Sequence, residues 1–464
     1  MCALWAGEKG SATGVITTIF PNLRAGAIAV AVCVIAPCVL LGLQIGSNSE
    51  FSPFDEAAHL DYVERVSRGE LPRQGEKMLE STMREISCNG YQELDVSHLP
   101  DCDTPGGRWP EEMKWNQHEA QQPPTYYVAT APLRWASHNV LGVRGDLQAT
   151  RVTSIAWTII GLILLWFAGR LMAIPPLVLG GVLLVLVSSP WLVYLNATVS
   201  NDVTALPAAG LVALVGALVY RWPGRVHPGW LLAAGFLASA LKTTNIFATA
   251  AVAGLLLIWE LRKGGRKGRT AAVRAWAGTG GLLLIGGVAA TLIWTGIHNT
   301  TALIDVRDDP ALDGLRQGPR DLGTVLASLS ALLWPLVGDP AAAVVRHLSP
   351  DILGAPVLRP LHALLAAAPI AVGLSALFVS PRRWPNVLGL LSMGLLVIGA
   401  LVMAVGFIIL YDQDPDPSPR YGISLAPMFA LALGAAVVGR WGRGAVVAFA
   451  AVLFAATVGA LLAH

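Results

Sequence analysis

Long runs without a charged residue constrain the fold of this chain more than any other feature of its sequence. The first such run spans 25–45, and similar runs recur from about residue 150 onward. A helix of about 20 apolar residues is long enough to cross the hydrocarbon layer of a bilayer. Charged residues make up 13% of the chain, against roughly 25% in soluble domains, so a soluble globule would lack polar surface. These features predict an all-α polytopic membrane protein.

The apolar runs predict about eleven transmembrane helices. The predicted spans are 25–45, 150–170, 176–195, 202–220, 229–244, 246–261, 272–297, 358–380, 386–411, 421–439 and 444–463. Because the run at 25–45 is long enough to span the bilayer, we expect no cleavable signal peptide. The chain then divides into six parts. They are a cytoplasmic N-terminus (1–24), a first span (25–45), a large extracytoplasmic loop with amphipathic helices (46–149), a transmembrane core (150–297), a second extracytoplasmic loop (298–357) and C-terminal spans (358–464).

The basic residues give the orientation of the predicted spans. Short cytoplasmic loops are enriched in Lys and Arg. If the N-terminus is cytoplasmic, the strongly basic short loops all lie on that side, including the run from Arg262 to Arg269 and the pair Arg382-Arg383. This topogenic role is enough to explain the basic run. We therefore expect the polar segments between the other span ends to be extracytoplasmic.

An acidic block interrupts this otherwise basic and apolar chain. Between Glu50 and Glu119 there are 16 acidic and 7 basic residues, whereas the whole chain has a net charge of +2. The near-neutral total argues against a nucleic-acid partner, because a nucleic-acid-binding protein presents a net basic face. The block is predicted to be a soluble, extracytoplasmic part of the protein.

The cysteine residues fit the predicted orientation. Cys33 and Cys38 lie within the first span, where a free thiol behaves as a small apolar group. Cys88 and Cys102 lie in the outer block, where a disulfide between them can persist. Such a bridge would close a loop of about 15 residues and contribute roughly 3 kcal/mol. A zinc site formed by Cys88, His98 and Cys102 is the alternative, although this spacing matches no recognised ligand pattern.

The segment after the first span predicts a helix that begins near two acidic residues. Ser52 is a suitable N-cap, Pro53 suits the first turn, and Gly69 follows the predicted end of the helix. Asp55, three residues after the cap, could complete a capping box. Alternatively, it lies close to the membrane surface, where a partly desolvated carboxylate could take a proton from a hydroxyl group, with Glu56 as the neighbouring candidate.

Three further charged residues lie near predicted membrane boundaries. Asp202 begins a span, where it could complement the helix dipole or add a second outer carboxylate. Lys242 lies within an apolar hairpin, where an ionisable side chain indicates function unless it snorkels to the surface. Arg420 opens a late span and could either bind a phosphate group or anchor the span at the interface.

The segment 124–139 follows two prolines and is short for a span. It begins with Tyr126 and Tyr127 and contains Arg134. Adjacent tyrosines are typical interfacial anchors. We therefore expect this segment to lie along the membrane interface or to dip into it.

Several of these motifs occur in an order that resembles one superfamily of membrane enzymes. They are Asp55-Glu56 after the first span, the segment from Gln122-Pro123-Pro124 to Tyr126-Tyr127, Asn201-Asp202 at the fourth span, Lys242 after the fifth span and Arg420-Tyr421 before a late span. Together they resemble the GT-C superfamily of glycosyltransferases, in particular the protein O-mannosyltransferases, the aminoarabinose transferases of lipid A and their uncharacterised bacterial relatives. The resemblance covers most of the chain as an ordered layout.

The resemblance implies a GT-C-like fold and the inverting transfer of a sugar from a polyprenyl-phosphate donor to a hydroxyl group of a glycan, lipid or protein acceptor in the cell envelope. By this resemblance, Asp55 is the general base, Asp202 is a second acidic position, and Lys242 and Arg420 lie near the donor phosphate. No cofactor is required, and a divalent metal is conceivable, although the sequence offers no evident ligand set. The residues expected to line the substrate cavity are His59, His118, Gln122, Pro123, Tyr126, Tyr127, Asn201 and Tyr421.

Two other functions are compatible with the sequence. The chain could be a carrier or flippase for lipid-linked sugars, or a non-catalytic subunit for envelope assembly that holds a partner through its acidic block. No P-loop is present, so ATP-driven transport by this chain alone is not expected. The Ala-, Gly- and Arg-rich composition is typical of a GC-rich bacterium, with mannose or arabinose as candidate donor sugars. We expect a multi-pass protein of the bacterial plasma membrane, with its active site on the extracytoplasmic face and a role in cell wall biogenesis.

Overall fold

A computed structural model describes most of the chain. The described residues are 22–92, 94–100, 102, 113–263, 268–305, 308, 323, 336, 358–378, 384–410, 419–437 and 439–463. Within these ranges the structure consists of helices and connecting segments, with isolated backbone bridges and no β-strand. The predicted all-α fold is confirmed for this part of the chain.

The helices of the described residues are numbered here in chain order. They are α1 (Leu23–Ser47), α2 (Glu56–Ser67), α3 (Glu80–Asn89), α4 (Thr125–Asn139), α5 (Asp146–Leu171), α6 (Pro176–Ser188), α7 (Pro190–Asn196), α8 (Asn201–Arg221), α9 (Pro228–Leu241), α10 (Thr243–Lys263), α11 (Arg269–Thr301), α12 (Leu358–Phe378), α13 (Trp384–Leu410), α14 (Arg420–Ala436) and α15 (Arg440–Leu462).

Several of these helices are long and apolar enough to cross a membrane. Among the described residues seven helices meet this criterion, or eight spans if α6 and α7 are counted as one. The seven are α1, α5, α8, α10, α11, α13 and α15. Three more apolar helices are shorter, namely α9, part of α12 and α14. The chain is therefore a membrane protein, but the predicted count of eleven spans is not confirmed, because α9, α14 and the apolar part of α12 are too short to meet the criterion.

The predicted span at 176–195 is broken. Helices α6 and α7 are bent by 66° relative to each other at Ser189. Pro190 begins α7, and proline removes a backbone donor and clashes with the preceding turn. The proline therefore accounts for the break.

Helices α9 and α11 pack with their backbones in close approach. A Cβ atom at Gly235 would lie 1.9 Å from the carbonyl oxygen of Leu283, and one at Gly286 would lie 2.1 Å from that of Leu232. Small residues at helix crossings allow this approach within a membrane. Helix α9 ends directly before Lys242, so its contact with α11 helps to fix the position of Lys242.

The acidic block has a small hydrophobic core of its own, to which α2 and α3 contribute side chains. A disulfide joins Cys88 in α3 to Cys102. Since both sulfur atoms are used in this bridge, the alternative zinc site with His98 is excluded. The core contains Phe51, Ala57, Ala58, Leu60, Met78, Met83, Ile86, Leu99, Leu147 and Val199. Leu147 and Val199 tie the block to the beginnings of α5 and α8.

Some predictions fall on residues outside the described ranges. These include 1–21 of the predicted N-terminus, most of the second extracytoplasmic loop at 298–357, the centre of the basic run at 264–267, the pair Arg382-Arg383, and 411–418 before Arg420.

Candidate functional site

The predicted polar residues gather at one end of the helix bundle. Helices α8, α10 and α14 each begin at this end with a 3₁₀ turn. The first turn contains Asp202, the second directly follows Lys242, and the third contains Arg420. The acidic block lies over the same end and contributes Asp55 and His118. The sequence order of these residues thus gives little indication of how close they lie.

Asp55 has an unusual backbone conformation, with φ 57° and ψ 13°. Among the described residues Ala173 is the other non-glycine residue with positive φ. This left-handed region costs roughly 1–2 kcal/mol per residue, although aspartate tolerates it better than most residues. In this turn the Asp55 side chain forms no capping hydrogen bond. The capping-box interpretation of Asp55 is therefore wrong.

The start of α2 also differs from the prediction. The helix begins at Glu56, so the predicted N-cap, Ser52, lies before it. The backbone N–H of Ser52 donates to Glu56 Oε2 at 2.7 Å. Glu56, one residue later than expected, therefore makes the backbone contact that was predicted for Asp55.

The Asp55 carboxylate is held by two cationic side chains. The Arg420 guanidinium donates to Oδ2 at 2.6 Å, and His118 Nε2 lies 3.0 Å from Oδ1. The Asp55 side chain is still 25% exposed, so a substrate can reach it. Burial by itself would raise the pKa of Asp55, but the Arg420 charge and the His118 hydrogen bond hold it well below its usual range.

His118 is a second cation of this cluster. Its Nε2 faces the Asp55 carboxylate, and its Nδ1 faces the carbonyl oxygen of Asn116 at 3.4 Å. Both neighbours are acceptors, so both ring nitrogens are placed to donate. Burial would lower the pKa of His118, yet the hydrogen bond to Asp55 and the charges of Asp55 and Glu119 raise it to about 9. The imidazole is therefore protonated at neutral pH.

Glu119 completes the cluster. Its Oε2 is buried and has no hydrogen-bond partner among the described residues. Burial and the Asp55 charge raise the pKa of Glu119 to about 7. One ligand atom each from Asp55, His118 and Glu119 lies within 4.8 Å of the others, so the three side chains could hold a metal ion. To bind one, His118 would have to lose its proton, and the ion would approach the Arg420 guanidinium.

A second ion pair lies beside the first. The Lys242 ammonium is buried and donates to Asp202 Oδ1. The Ser200 hydroxyl donates to Asp202 Oδ2 at 3.0 Å. The Tyr421 ring lies next to both cations of the site, with its centroid 5.7 Å from Lys242 Nζ and 5.4 Å from Arg420 Cζ. The two cations, each paired with a carboxylate, therefore flank the Tyr421 ring, and Lys242 does not snorkel as an isolated charge.

His59 lies between Glu119 and the Ser200 hydroxyl group. It is buried, its Nδ1 lies 2.8 Å from the Tyr127 hydroxyl, and its Nε2 lies 3.4 Å from Ser200 Oγ. Glu119 Oε2 lies 3.7 Å from the same Nδ1. Burial lowers the pKa of His59 to about 3, so the ring is neutral.

The remaining predicted residues form the packing around His59. Gln122 Oε1 accepts from Asn201 Nδ2 at 3.1 Å, which joins the acidic block to α8. Pro123 is buried between Gln122 and α4. Tyr126 and Tyr127 are fully buried, and Tyr127 stacks on Tyr62 with a centroid distance of 3.7 Å. The prediction that these two tyrosines are interfacial anchors is therefore wrong, because their rings pack inside the protein.

Glu56, the alternative base, lies in a different environment. Its carboxylate is fully buried and forms a two-point ion pair with Arg151, at 2.8 Å and 2.6 Å. The backbone N–H groups of Ser52 and Val199 donate to the same carboxylate at 2.7 Å each. With its oxygens occupied in this way, Glu56 is not placed to act as a base.

Sequence reasoning missed three residues of this region. Arg151 lies inside a predicted span, and an arginine there is costly enough to indicate a buried partner. Glu119 follows His118 directly, and Ser200 precedes Asn201-Asp202. The adjacency of Glu119 and Ser200 to predicted site residues was the available signal for both.

Comparison of this chain with known proteins finds no relative. No model of a known protein family, no curated protein and no solved structure matches this chain. The function must therefore be argued from the arrangement of the residues described above.

Proposed function

We propose that this protein is an integral-membrane glycosyltransferase. It would move a sugar from a polyprenyl-phosphate donor to a hydroxyl group of a cell-envelope acceptor on the extracytoplasmic face. The observation that carries this proposal is the partly exposed Asp55 carboxylate in contact with Arg420, beside the buried pair of Lys242 and Asp202. A base next to two cations suits a reaction in which a hydroxyl group loses a proton and a phosphate group departs.

The donor phosphate would compete for the two cations. Arg420 and Lys242 each contact a carboxylate, and guanidinium geometry also suits a phosphate group. When Arg420 turns to the phosphate, Asp55 loses a neighbouring positive charge. Its pKa then rises, which makes Asp55 a stronger base when the donor is in place.

The proposed step is a direct displacement at the anomeric carbon. The acceptor hydroxyl gives its proton to the Asp55 carboxylate, and its oxygen forms a bond to the anomeric carbon. The bond between that carbon and the phosphate oxygen breaks, and the polyprenyl phosphate leaves with the electron pair. Attack from the face opposite the phosphate inverts the configuration at the sugar carbon. Arg420 and Lys242 would stabilise the negative charge that develops on the phosphate.

Turnover of a labelled polyprenyl-phosphate sugar by the purified protein tests this proposal. We expect Asp55→Asn to reduce donor consumption by roughly 10²–10⁴-fold, the usual contribution of a general base. Asp95→Asn is a matched control, because Asp95 is an exposed aspartate of the same block that contacts Ser97. Equal consumption by the wild type and Asp55→Asn would show that Asp55 is not the base.

One observation favours a carrier of lipid-linked sugars as a second candidate. The α6–α7 pair is broken by 66°, and broken helices line the substrate sites of many transporters. Proteoliposomes loaded with a labelled lipid-linked sugar distinguish the two functions. Movement of the intact lipid between leaflets, with no sugar released or transferred, would favour the carrier and contradict the transferase.

A further inference from the structure

A cavity of about 370 Å³ lies at the opposite end of the bundle from Asp55. Its walls come from α8, α10, α13 and α14, together with Met172. Helix α8 begins at the Asp202 end and lines the cavity with residues of its last turns, up to Tyr220. At 1.5 Å per residue, the length of α8 separates the two ends by roughly 30 Å.

The interior of the cavity is apolar. The side chains that form its walls include Ala217, Val252, Leu256, Leu388 and Met428. The volume lies within the range of roughly 300–1,000 Å³ that is usual for small-molecule sites. An apolar cavity between membrane helices suits a hydrocarbon chain rather than a polar solute.

The polar residues of the cavity come from the ends of two helices. Tyr220 at the end of α8 and Trp259 near the end of α10 have ring centroids 5.3 Å apart. Arg262 follows in the last turn of α10, is exposed and also lines the cavity. Tyrosine and tryptophan are enriched at the level of lipid headgroups. The apolar cavity therefore reaches the membrane surface where a guanidinium group is present.

The charges around this end of the bundle are mostly basic. Arg221 ends α8, Arg225 follows it, and Arg269 begins α11, whereas Lys263 at the end of α10 contacts Glu260 at 3.7 Å. The same distribution of Lys and Arg identifies this end as cytoplasmic. Such clusters attract anionic lipids of the cytoplasmic leaflet, at about 1 kcal/mol for each Lys or Arg near the surface.

We propose that this cavity binds an anionic glycerophospholipid of the cytoplasmic leaflet. One acyl chain would lie among the apolar walls, and the lipid phosphate would contact Arg262. Guanidinium geometry suits a phosphate group, and the surrounding positive charges select an anionic headgroup over a zwitterionic one. This inference does not rest on the proposed function, because it concerns different residues at the other end of the bundle.

Lipid binding to the purified full-length protein tests the proposal. Native mass spectrometry would compare phosphatidylglycerol and phosphatidylcholine with the same acyl chains. We expect phosphatidylglycerol to bind more tightly, and Arg262→Gln to weaken its binding by about fivefold while changing phosphatidylcholine binding little. Lys263→Gln is the matched control, since it removes a neighbouring charge that is already paired with Glu260, at 3.7 Å, and should change the binding of either lipid little. Lys263 lies over the Trp259 ring and is not part of the cavity wall.

Filling the cavity provides an independent test. Ala217 is a buried wall residue, and we expect Ala217→Leu to reduce retention of both lipids in protein that elutes as a single peak. If Ala217→Leu does not fold, the comparison of Arg262→Gln with Lys263→Gln remains decisive. Equal affinity of the wild type for both lipids, or equal losses in the two charge variants, would overturn the proposal. The proposal would also be overturned if Ala217→Leu bound a long-chain polyprenyl phosphate more weakly but phosphatidylglycerol as tightly as the wild type does. The cavity would then hold the tail of the donor.

Discussion

At the residue scale, three carboxylates near the end of the bundle that lies against the acidic block each contact a cation, but their environments differ. Asp55 is partly exposed beside Arg420 and His118, Asp202 is buried with Lys242, and Glu56 is fully enclosed with Arg151. A buried ion pair offers limited net stability, because desolvation offsets its attraction. Breaking one is costly, since it leaves an uncompensated buried charge. Exposure therefore distinguishes Asp55, which a substrate can reach, from Glu56, which is enclosed by the protein.

Glu56→Gln should destabilise the protein more than Asp55→Asn does. The Glu56 substitution leaves the Arg151 guanidinium buried without its counter-charge, at a cost of about 3–5 kcal/mol. Asp55→Asn leaves Arg420 in a partly exposed position, where water can solvate it. Thermal unfolding of both variants in the same detergent checks this order. A smaller loss for Glu56→Gln would contradict the structural role of the Glu56–Arg151 pair.

The raised pKa of His118 predicts that the protein loses stability in alkaline solution. Its pKa is raised to about 9 in the folded protein, above the usual value of about 6.5. The stabilisation from its pairing with Asp55 is therefore complete below pH about 6.5 and is lost as the pH rises through about 9. The opposite sign holds for Asp55, whose depressed pKa gives stability that is lost in acid.

The melting temperature of the wild type should fall between pH 6.5 and 9, and His118→Asn should lack this part of the decrease. Asn can still donate one hydrogen bond to Asp55, but it carries no titrating charge. A parallel pH dependence in the two proteins would show that His118 is not a cation of the site.

The individual charged residues of the site could be predicted, but their pairing could not. Asp55, Asp202, Lys242 and Arg420 were recognisable because each is an ionisable residue at the edge of an apolar run. Arg420 and Asp55 are separated by 365 positions and Lys242 and Asp202 by 40, and no local pattern links residues at such distances. The arrangement of the helices decides which carboxylate meets which cation.

At the element scale, the helices that carry the site begin with tight 3₁₀ turns. These turns are at the first residues of α8, α10 and α14, at the end of the bundle that contains Asp55. The position of Lys242 also depends on α9, which ends at the preceding residue and packs closely against α11. The spacing between these two helices therefore helps to set the geometry of the second ion pair.

Gly286→Ala should separate α9 from α11 and destabilise the protein. Its Cβ atom would lie 2.1 Å from the Leu232 carbonyl oxygen, so the backbones must move apart. Gly296→Ala on the same helix is the control, because a Cβ there meets nothing within 4 Å. Thermal unfolding should show a lower melting temperature for Gly286→Ala alone. Equal melting temperatures would contradict the close helix approach.

Hydropathy predicted the positions of most helices but not their local irregularities. A sliding average over 176–195 does not register the proline that bends α6 relative to α7. Helix α2 begins at Glu56 rather than at Pro53, because the left-handed backbone conformation of Asp55 interrupts the helix before that residue. Segment 124–139 looked interfacial, but its tyrosines pack against Tyr62 and Trp157. In each case a specific structural feature outweighed the average polarity of the segment.

At the scale of the whole molecule, the two ends of the bundle have different chemistry. One end has the paired carboxylates and cations beneath the acidic block, and the other has an apolar cavity among basic residues. The same three helices, α8, α10 and α14, reach from one end to the other. The orientation of the chain in the membrane therefore decides which leaflet each site meets.

Labelling from outside the cell tests this orientation. Glu70 in the acidic block and Lys263 at the end of α10 are both exposed. We expect a membrane-impermeant maleimide to label Glu70→Cys in intact cells, and Lys263→Cys after the membrane is permeabilised. The reverse pattern would place the Asp55 cluster in the cytoplasm, where a donor in the outer leaflet could not reach it.

The most direct test of the central claim is a structure of the protein with a polyprenyl-phosphonate sugar that cannot be cleaved. The account predicts that the phosphonate contacts Arg420 and Lys242, that Arg420 moves away from Asp55, and that the Asp55 carboxylate faces the anomeric carbon from the side opposite the phosphonate. A phosphonate bound at the other end of the bundle near Arg262, with the contact between Arg420 and Asp55 intact, would contradict it.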